Sequence, residues 1–590
     1  MKAFKRILLF TGIIVFLFLG ILAYSNLRDA SPPLPEVVGP SYGNEPDYQQ
    51  RQWWETTAVY QVYPRSFQDS DGDGIGDIPG IISRLDYIKG LGFETIWFSP
   101  FFKSPHRDFG YDVSDYYRAD PEYGDSVLID SLIREIHRRD MKVVFDMVLN
   151  HTSDQHPWFV ESRSSRDNPQ SDWYVWRDGQ DSEPPNNWIN ALTRSGWNYE
   201  PQREQWYYSA FLSFQPDLNW RNPDVKAAMF DMLRYWLDRG VDGFRLDIFN
   251  FIYEDEQFQD NPWTLRILPG RDFTKVKGQN RVHNVNHPDN FTLAQEMRSL
   301  LDEYGHPHRF MVGEVFGNHH TLKQFLGTGR DGLNLVFLFD ISDFEWEARF
   351  FREQIRTFEA FYPYPYQPVY VFSNHDRPRS ISRLGNDLQK ARLLALLQYT
   401  LRGVPFTYQG EEIGMHTGNI PIAQAKDPLP AAIAEMLPGI MRNAIPVSLN
   451  RDNCRTPMQW DGTVHAGFTE EGAEPWLPVQ NNADSINVEV QEASENSLLQ
   501  TYQALLRLRS ESLPLKWGSL QLQEAGIPDG ILSYRRIYRD REVVVYINFS
   551  EEAQVLPEDG TAAIMVGQVL LQDGRLNLGG NSGVVIRKGS

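Results

Sequence analysis

Gly243-Phe244-Arg245-Leu246-Asp247 is a short apolar run that ends on a complementary charge pair two residues apart, and it belongs to a series. Alternate positions of a strand face the same way, so Arg245 and Asp247 point together. Working outward from it, short apolar runs alternate with longer helix-patterned segments from Ala58 onward, the trace of repeated βα units. The strand candidates are Ala58 to Tyr63, Thr95 to Ser99, Lys142 to Leu149, Gly243 to Asp247, Phe310 to Glu314, Leu335 to Phe339, Val369 to Phe372 and Pro405 to Tyr408. Eight such units predict an α/β fold of the (β/α)8 TIM-barrel type. The active site of such a barrel lies at the carboxyl ends of its strands, so a polar residue just after one of these runs is a catalytic candidate first.

The barrel is expected over residues 51–150 and 216–514. Between the third and fourth strands, about His151 to Gln215, the chain is rich in Trp, Asn, Ser and Asp and poor in helical periodicity, which predicts a small inserted lobe overhanging the catalytic face. After a helical segment at about Ser497 to Arg509, strand-like alternation such as Glu542-Val543-Val544-Val545-Tyr546-Ile547 predicts a carboxyl-terminal antiparallel β-sandwich over 515–590. At the other end, Met-Lys-Ala-Phe-Lys-Arg precedes an apolar run from Ile7 to Tyr24. This is the pattern of an export signal or a membrane anchor within residues 1–30, and it places the folded part outside the cytoplasm, secreted, periplasmic or held at the membrane through residues 7–25. Residues 31–50, with Pro32-Pro33, Pro35, Pro40 and Pro46, read as a linker.

Composition narrows the function. Asp and Glu number 78 against 57 Lys and Arg, a formal charge of -21, so nothing would supply the counterion release that a nucleic-acid partner requires. The single cysteine, Cys454, excludes an intrachain disulfide and a cysteine-based metal cluster. Abundant Trp, Tyr and Phe suit stacking on the apolar faces of sugars.

Three strand ends carry the chemistry. Arg245 beside Asp247 is expected to keep that carboxylate ionised, as a nucleophile requires. Val312-Gly313-Glu314-Val315 puts a second carboxyl at the end of the next strand, in an apolar setting suited to a general acid. Two carboxyls on neighbouring barrel strands stand about 5 Å apart, the separation of retaining glycosidases. Phe372-Ser373-Asn374-His375-Asp376 adds a third carboxylate with an adjacent imidazole, and Asp146 to His151 closes the third strand with a similar polar set.

The segments 146-DMVLNH-151, 243-GFRLD-247, 313-GE-314 and 372-FSNHD-376, in this order on strands three, four, five and seven, resemble the four signature regions of the α-amylase family of glycoside hydrolases, family 13. Likewise 215-QPDLN-219, 63-YPRSF-67, 110-GYD-112 and 455-RTPMQW-460 resemble its oligo-1,6-glucosidase and α-glucosidase branch. The resemblance implies Asp247 as nucleophile, Glu314 as acid/base and Asp376 as transition-state stabiliser. It implies that Asp108, Tyr111, His151, Gln215, Arg245, His375 and Arg455 hold the non-reducing glucose in a dead-end pocket. The expected activity is that of a retaining exo-acting α-glucosidase on α-1,6 and/or α-1,4 bonds of short oligosaccharides.

The loop Asp69-Ser70-Asp71-Gly72-Asp73-Gly74-Ile75-Gly76-Asp77 alternates acidic side chains with glycines, which suits oxygen coordination of a hard cation, Ca²⁺ or Mg²⁺. Gly80 stands where an EF-hand needs a bidentate Glu, so the loop is not an EF-hand. It is similar to the metal loop of the glucosidase branch, which implies a structural ion on Asp69, Asp71, Asp73, Asp77 and the carbonyl of Ile75.

Two departures bear on specificity. The nucleophile is followed by Ile248, where a β-branched aliphatic such as valine goes with α-1,6 preference in this branch, and both Trp188 to Thr193 and Gly414 to Val447 diverge from its pattern. The rival readings are a trehalose-synthase-like or sucrose-isomerising enzyme of the same fold and a non-catalytic, membrane-anchored transporter subunit with a glucosidase-like ectodomain. The neutral Ile248 tilts against the isomerase, and three carboxylates at one rim tilt against the scaffold.

Overall fold

The computed structural model describes Pro35 and residues 51–266, 274–436 and 449–588. The expected export segment, and all of the linker but Pro35, lie outside the described residues. Among the described residues no helix is long and apolar enough to cross a membrane.

Eight parallel strands form the central sheet: β1 (Val59–Val62), β2 (Thr95–Phe98), β3 (Lys142–Met147), β4 (Gly243–Leu246), β5 (Phe310–Gly313), β6 (Leu335–Val336), β7 (Val369–Val371) and β8 (Val404–Tyr408). They pair in the order β6-β5-β4-β3-β2-β1-β8-β7, so the eighth strand returns to lie beside the first and the sheet curls into a barrel. Such strands are buried on both faces, which is why they read as near-continuous apolar runs.

Strand parity sorts the residues into two cores. Val59, Trp97, Val144, Val312, Val371 and Phe406 fill the barrel interior. Their neighbours Tyr60, Ile96, Phe145, Met311 and Tyr370 face outward against the helices. The helix Ser126–His137 buries Ile129, Leu132, Ile133 and Ile136 on one stripe and is capped by Asp125, whose side chain accepts the Leu128 N–H. Cutting the fully buried Leu132 to alanine would cost about 2–5 kcal/mol. Glycine at 243 is required by close approach, since a Cβ there would lie 2.5 Å from the Phe310 carbonyl oxygen.

The insertion between β3 and β4 carries the helix Pro157–Ser162 and a three-stranded antiparallel sheet of Trp176–Arg177, Gln205–Tyr208 and Trp197–Glu200. It is clamped to the segment after β4. Trp188 Nε1 donates to the Gln259 carbonyl at 2.8 Å and Asn186 Nδ2 to that of Phe258 at 3.0 Å. Asn187 exchanges hydrogen bonds with Asp260 and Asn261, and Phe258 stacks on Trp188.

The carboxyl-terminal strands, β9 (Ser519–Gln523), β10 (Ile531–Tyr538), β11 (Arg541–Asn548), β12 (Gln554–Pro557), β13 (Thr561–Val566), β14 (Val569–Gln572), β15 (Arg575–Leu578) and β16 (Ser582–Lys588), form two antiparallel sheets. Their orders are β9-β10-β11-β16-β13 and β12-β15-β14. Ile531, Val544, Leu556, Leu576, Leu578 and Ile586 pack between them. The strands begin later than the sequence suggests. Ser512 caps a further helical turn, Leu513–Trp517, with Pro514 in its first turn, so residue 515 is helical and β9 starts at Ser519.

Candidate active site

The inward parity that fills the barrel with Val59, Val144 and Val312 continues at the strand ends as Gln61, Asp146 and Glu314, and on β4 as Arg245 and then Asp247. The register sets Asp146 beside Arg245 and Val312 beside Arg245, so the guanidinium stands between β3 and β5. Arg245 Nη1 reaches Asp146 Oδ1 at 2.8 Å and Asp247 Oδ1 at 2.6 Å, while Nη2 pairs with Glu314 Oε2. One guanidinium thus holds three carboxyls.

The expectation that Arg245 keeps Asp247 readily ionised is corrected by burial. Desolvation pushes the Asp247 carboxyl well above the usual range; Arg245 opposes this, but Glu314 and Asp146 add to the rise. Asp146 is likewise pushed up to about 6 by burial, against the pull of Arg245. Burial thus pushes both Asp247 and Asp146 towards their protonated forms despite the cation between them.

Across the rim a single carboxylate touches two guanidiniums. Asp376 Oδ1 meets Arg455 Nη2 at 2.8 Å and Arg451 Nη1 at 3.0 Å. Burial favours protonation of Asp376, but the charges around it outweigh burial and hold the carboxyl well below the ordinary range. His375, next to it, is pushed to about 3 by burial and is neutral at working pH, so the two guanidiniums carry the effect. Both ring nitrogens of His375 are engaged: Nδ1 with Gln61 Nε2 at 2.8 Å, and Nε2 with the Tyr111 hydroxyl at 2.6 Å. Tyr111 and His375 stack within 1° of parallel.

These groups surround a cavity of about 560 Å³. Of the predicted site residues, Asp108, Tyr111, His151, Gln215, Asp247, Glu314 and Asp376 line it. Arg245, His375 and Arg455 do not; they are buried behind the lining and position Asp247, Glu314, Tyr111 and Asp376. Gln215 Nε2 donates to Asp108 Oδ2 at 3.0 Å, and Asp108 is pushed up to about 6 by burial against Arg451. His151, lowered to about 4 by burial, hydrogen-bonds the Tyr111 carbonyl at 3.1 Å.

Sequence reasoning missed Arg451, which bridges Asp108, Asp376 and Asp427. Its position four residues before Arg455 was the available signal. Apolar wall comes from Phe211, Ile248, Phe316 and Phe339. Ile248 stands directly after Asp247 at φ 36°, a left-handed conformation that a β-branched residue holds only under strain.

In the acidic loop, Asp69, Asp71 and Asp77 offer oxygens within 4.8 Å of one another. Asp69 also accepts the backbone N–H groups of Asp71, Gly72 and Gly74, which curl the loop, with Gly72 and Gly74 at φ 81° and 87°. Asp73 Oδ1 accepts the Ile75 N–H at 2.8 Å, and its oxygens are not among those of the trio. An all-oxygen trio in which burial raises Asp77 fits a hard cation that would relieve the crowding of charge.

An eight-stranded parallel barrel whose strand ends converge two acids on one arginine, facing a third acid held by two more, defines a glycoside hydrolase of the α-amylase fold. The chain belongs to the α-amylase family, whose catalytic domain matches residues 61–518. It is 40% identical over 521 residues to an oligo-1,6-glucosidase from Halalkalibacterium halodurans, covering 84% of this chain and 90% of that protein. Among solved structures it is similar to an α-glucosyl transfer enzyme, XgtA, with a TM-score of 0.82 at 37% identity, covering 92% of this chain and 100% of that one. It is also similar to an isomaltulose synthase from Klebsiella sp. LX3, with a TM-score of 0.82 at 32% identity, covering 91% and 100%.

Proposed function

We propose that the protein is a retaining, exo-acting α-glucosidase that removes glucose from short α-1,6- or α-1,4-linked oligosaccharides. The observation that carries this is the single guanidinium of Arg245 shared by Asp247 and Glu314 at the floor of the cavity. Two carboxyls tied to one cation suit the ~5 Å separation of a retaining pair better than the wider gap an inverting enzyme needs for its water.

In this reading Asp247 attacks the anomeric carbon while Glu314 passes its proton to the glycosidic oxygen, and the leaving sugar departs. Water then gives its proton to Glu314 as its oxygen displaces Asp247, restoring both groups and releasing α-configured glucose. Asp247 must act as the anion in the first step, a form that the pull of Arg245 favours against burial. Asp376 is held as an anion to hydrogen-bond the sugar hydroxyls of the distorted transition state. The polar wall of Asp108, Gln215, Tyr111 and His151, braced by Arg451, supports a glucose subsite of the dead-end kind and hence exo action.

A second reading is transfer or isomerisation, in which a sugar hydroxyl intercepts the glucosyl-enzyme; the likeness to XgtA and to the isomaltulose synthase favours keeping it. One assay separates them. Incubation with isomaltose, maltose, sucrose and trehalose is expected to release α-glucose, and Asp247→Ala to abolish the release. Disaccharide rearrangement would favour the isomerase, and no turnover would sink both.

Asp69, Asp71 and Asp77 would hold a structural Ca²⁺ that braces the loop after β1 and takes no part in bond breaking. The amino-terminal apolar run would export the protein or anchor it, which membrane fractionation of the full chain tests.

A further inference from the structure

On the inserted lobe lies a second hollow of about 470 Å³ lined by Asp178, Gly179, Ser182, Tyr199, Glu204 and Trp206. It shares no lining residue with the catalytic cavity. Tyr199 and Trp206 are direct cross-strand partners in the lobe sheet, their rings 5.3 Å apart and tilted by 59°. Tyr199 is 51% exposed. Large aromatics on an open sheet face gain little from solvent and are spared by function when they make a platform. The loops that frame the pair are shaped to it. Gly179 presses so close that a Cβ would lie 2.5 Å from Trp206 Nε1, and Asp181, Ser182 and Glu204 all turn through positive φ.

The chemistry of the hollow is that of a sugar site. Two ring faces offer apolar area to pyranose C–H surfaces, while the carboxylates of Asp178 and Glu204 and the Ser182 hydroxyl ring them with acceptors for hydroxyl protons. Arg166 pairs with Asp178 at 3.0 Å and Gln205 Nε2 donates to it at 3.1 Å, so that carboxylate is already oriented. The acidic rim disfavours anions. We propose that this hollow is a second, non-catalytic binding site for neutral α-glucosyl oligosaccharides, which holds substrate chains on the lobe. The choice of ligand rests on the glucosidase reading given above.

The test uses the full chain carrying Asp247→Ala, so that sugar is bound and not consumed, titrated with maltotriose and isomaltotriose by calorimetry and tryptophan fluorescence. Two classes of site per chain are expected. Adding Trp206→Ala should weaken one class by about tenfold or more and leave the other unchanged. Tyr199→Ala, at an exposed position, should do the same in part, with melting temperature confirming the fold of both. In the otherwise native chain Trp206→Ala should leave glucose release from a disaccharide unchanged. A single class of site, or two classes indifferent to Trp206→Ala, would overturn the proposal. So would a dimer, seen by sedimentation, that Trp206→Ala dissociates, since the face would then belong to a second copy of the chain. Glucose release by the native chain with only one class of site would refute this inference alone; no glucose release would refute the glucosidase reading itself.

Discussion

The two charge clusters at the barrel mouth use the same residue types, but place different numbers of cations around their central acids. Around Arg245 three carboxyls share one guanidinium, and burial raises Asp247 and Asp146 in spite of it. Asp376 touches two guanidiniums, Arg455 and an Arg451 that also serves Asp108 and Asp427, and it is held ionised. Burial pushes Asp247, Asp146 and Asp376 the same way, so the number of cations each carboxyl touches decides the outcome. What the difference teaches is that acid and anion roles here are set by stoichiometry within a few ångströms and not by the identity of the side chain.

The largest effect expected is on the crowded side. Asp247→Ala should lower kcat/KM for isomaltose by about four orders of magnitude or more, because it removes the nucleophile from a set that acts as a unit. On the other side, Arg451→Met should lower kcat/KM by about 10²- to 10³-fold, the scale of breaking a buried ion pair. It should also move the acid limb of the pH profile upward, because Asp376 loses one of the charges that depress its titration. An unmoved acid limb in Arg451→Met would break the comparison.

Much of this was legible beforehand. Strand parity alone puts Arg245 with Asp247, and the series of apolar runs gives the barrel, since both follow from a period of two and from burial on both faces. The proton balance was not legible, because it depends on three carboxyls from three strands meeting one arginine. Arg451 was hidden for a related reason: its partners Asp108, Asp376 and Asp427 are distant in sequence and meet only at the rim. Asp73 fits the alternating pattern of its loop yet turns to the backbone of Ile75, a choice made by local hydrogen bonding.

Smaller effects sharpen the picture. Ile248→Thr should shift the ratio of kcat/KM for isomaltose over maltose by about tenfold towards maltose, the scale on which one apolar contact discriminates. The raised carboxyl of Asp146 makes the fold bind a proton that the unfolded chain has lost, so its contribution to stability falls as pH rises from about 4 through about 6. Asp146→Asn removes that uptake. Its melting temperature should therefore gain on the native protein's as pH rises through this window, and parallel curves would show that Asp146 is not where the proton sits. Asp376 carries the opposite sign: its contribution is present above about pH 4 and is lost as pH falls through its depressed value. The smallest effect is expected from chelation. EDTA should lower the melting temperature by about 2–5 °C, adding Ca²⁺ should restore it, and Asp69→Asn should abolish that response.

The clamp between the inserted lobe and the segment after β4 has a consequence for inheritance. Trp188, Asn186 and Asn187 on one side and Phe258, Gln259, Asp260 and Asn261 on the other satisfy each other's hydrogen bonds. Neither can be exchanged for a relative's version without orphaning polar groups in its mate. A grafted lobe without the Asn186, Asn187 and Trp188 donors would leave the carbonyls of Phe258, Asn261 and Gln259 unpaired, so lobe and loop are best moved together.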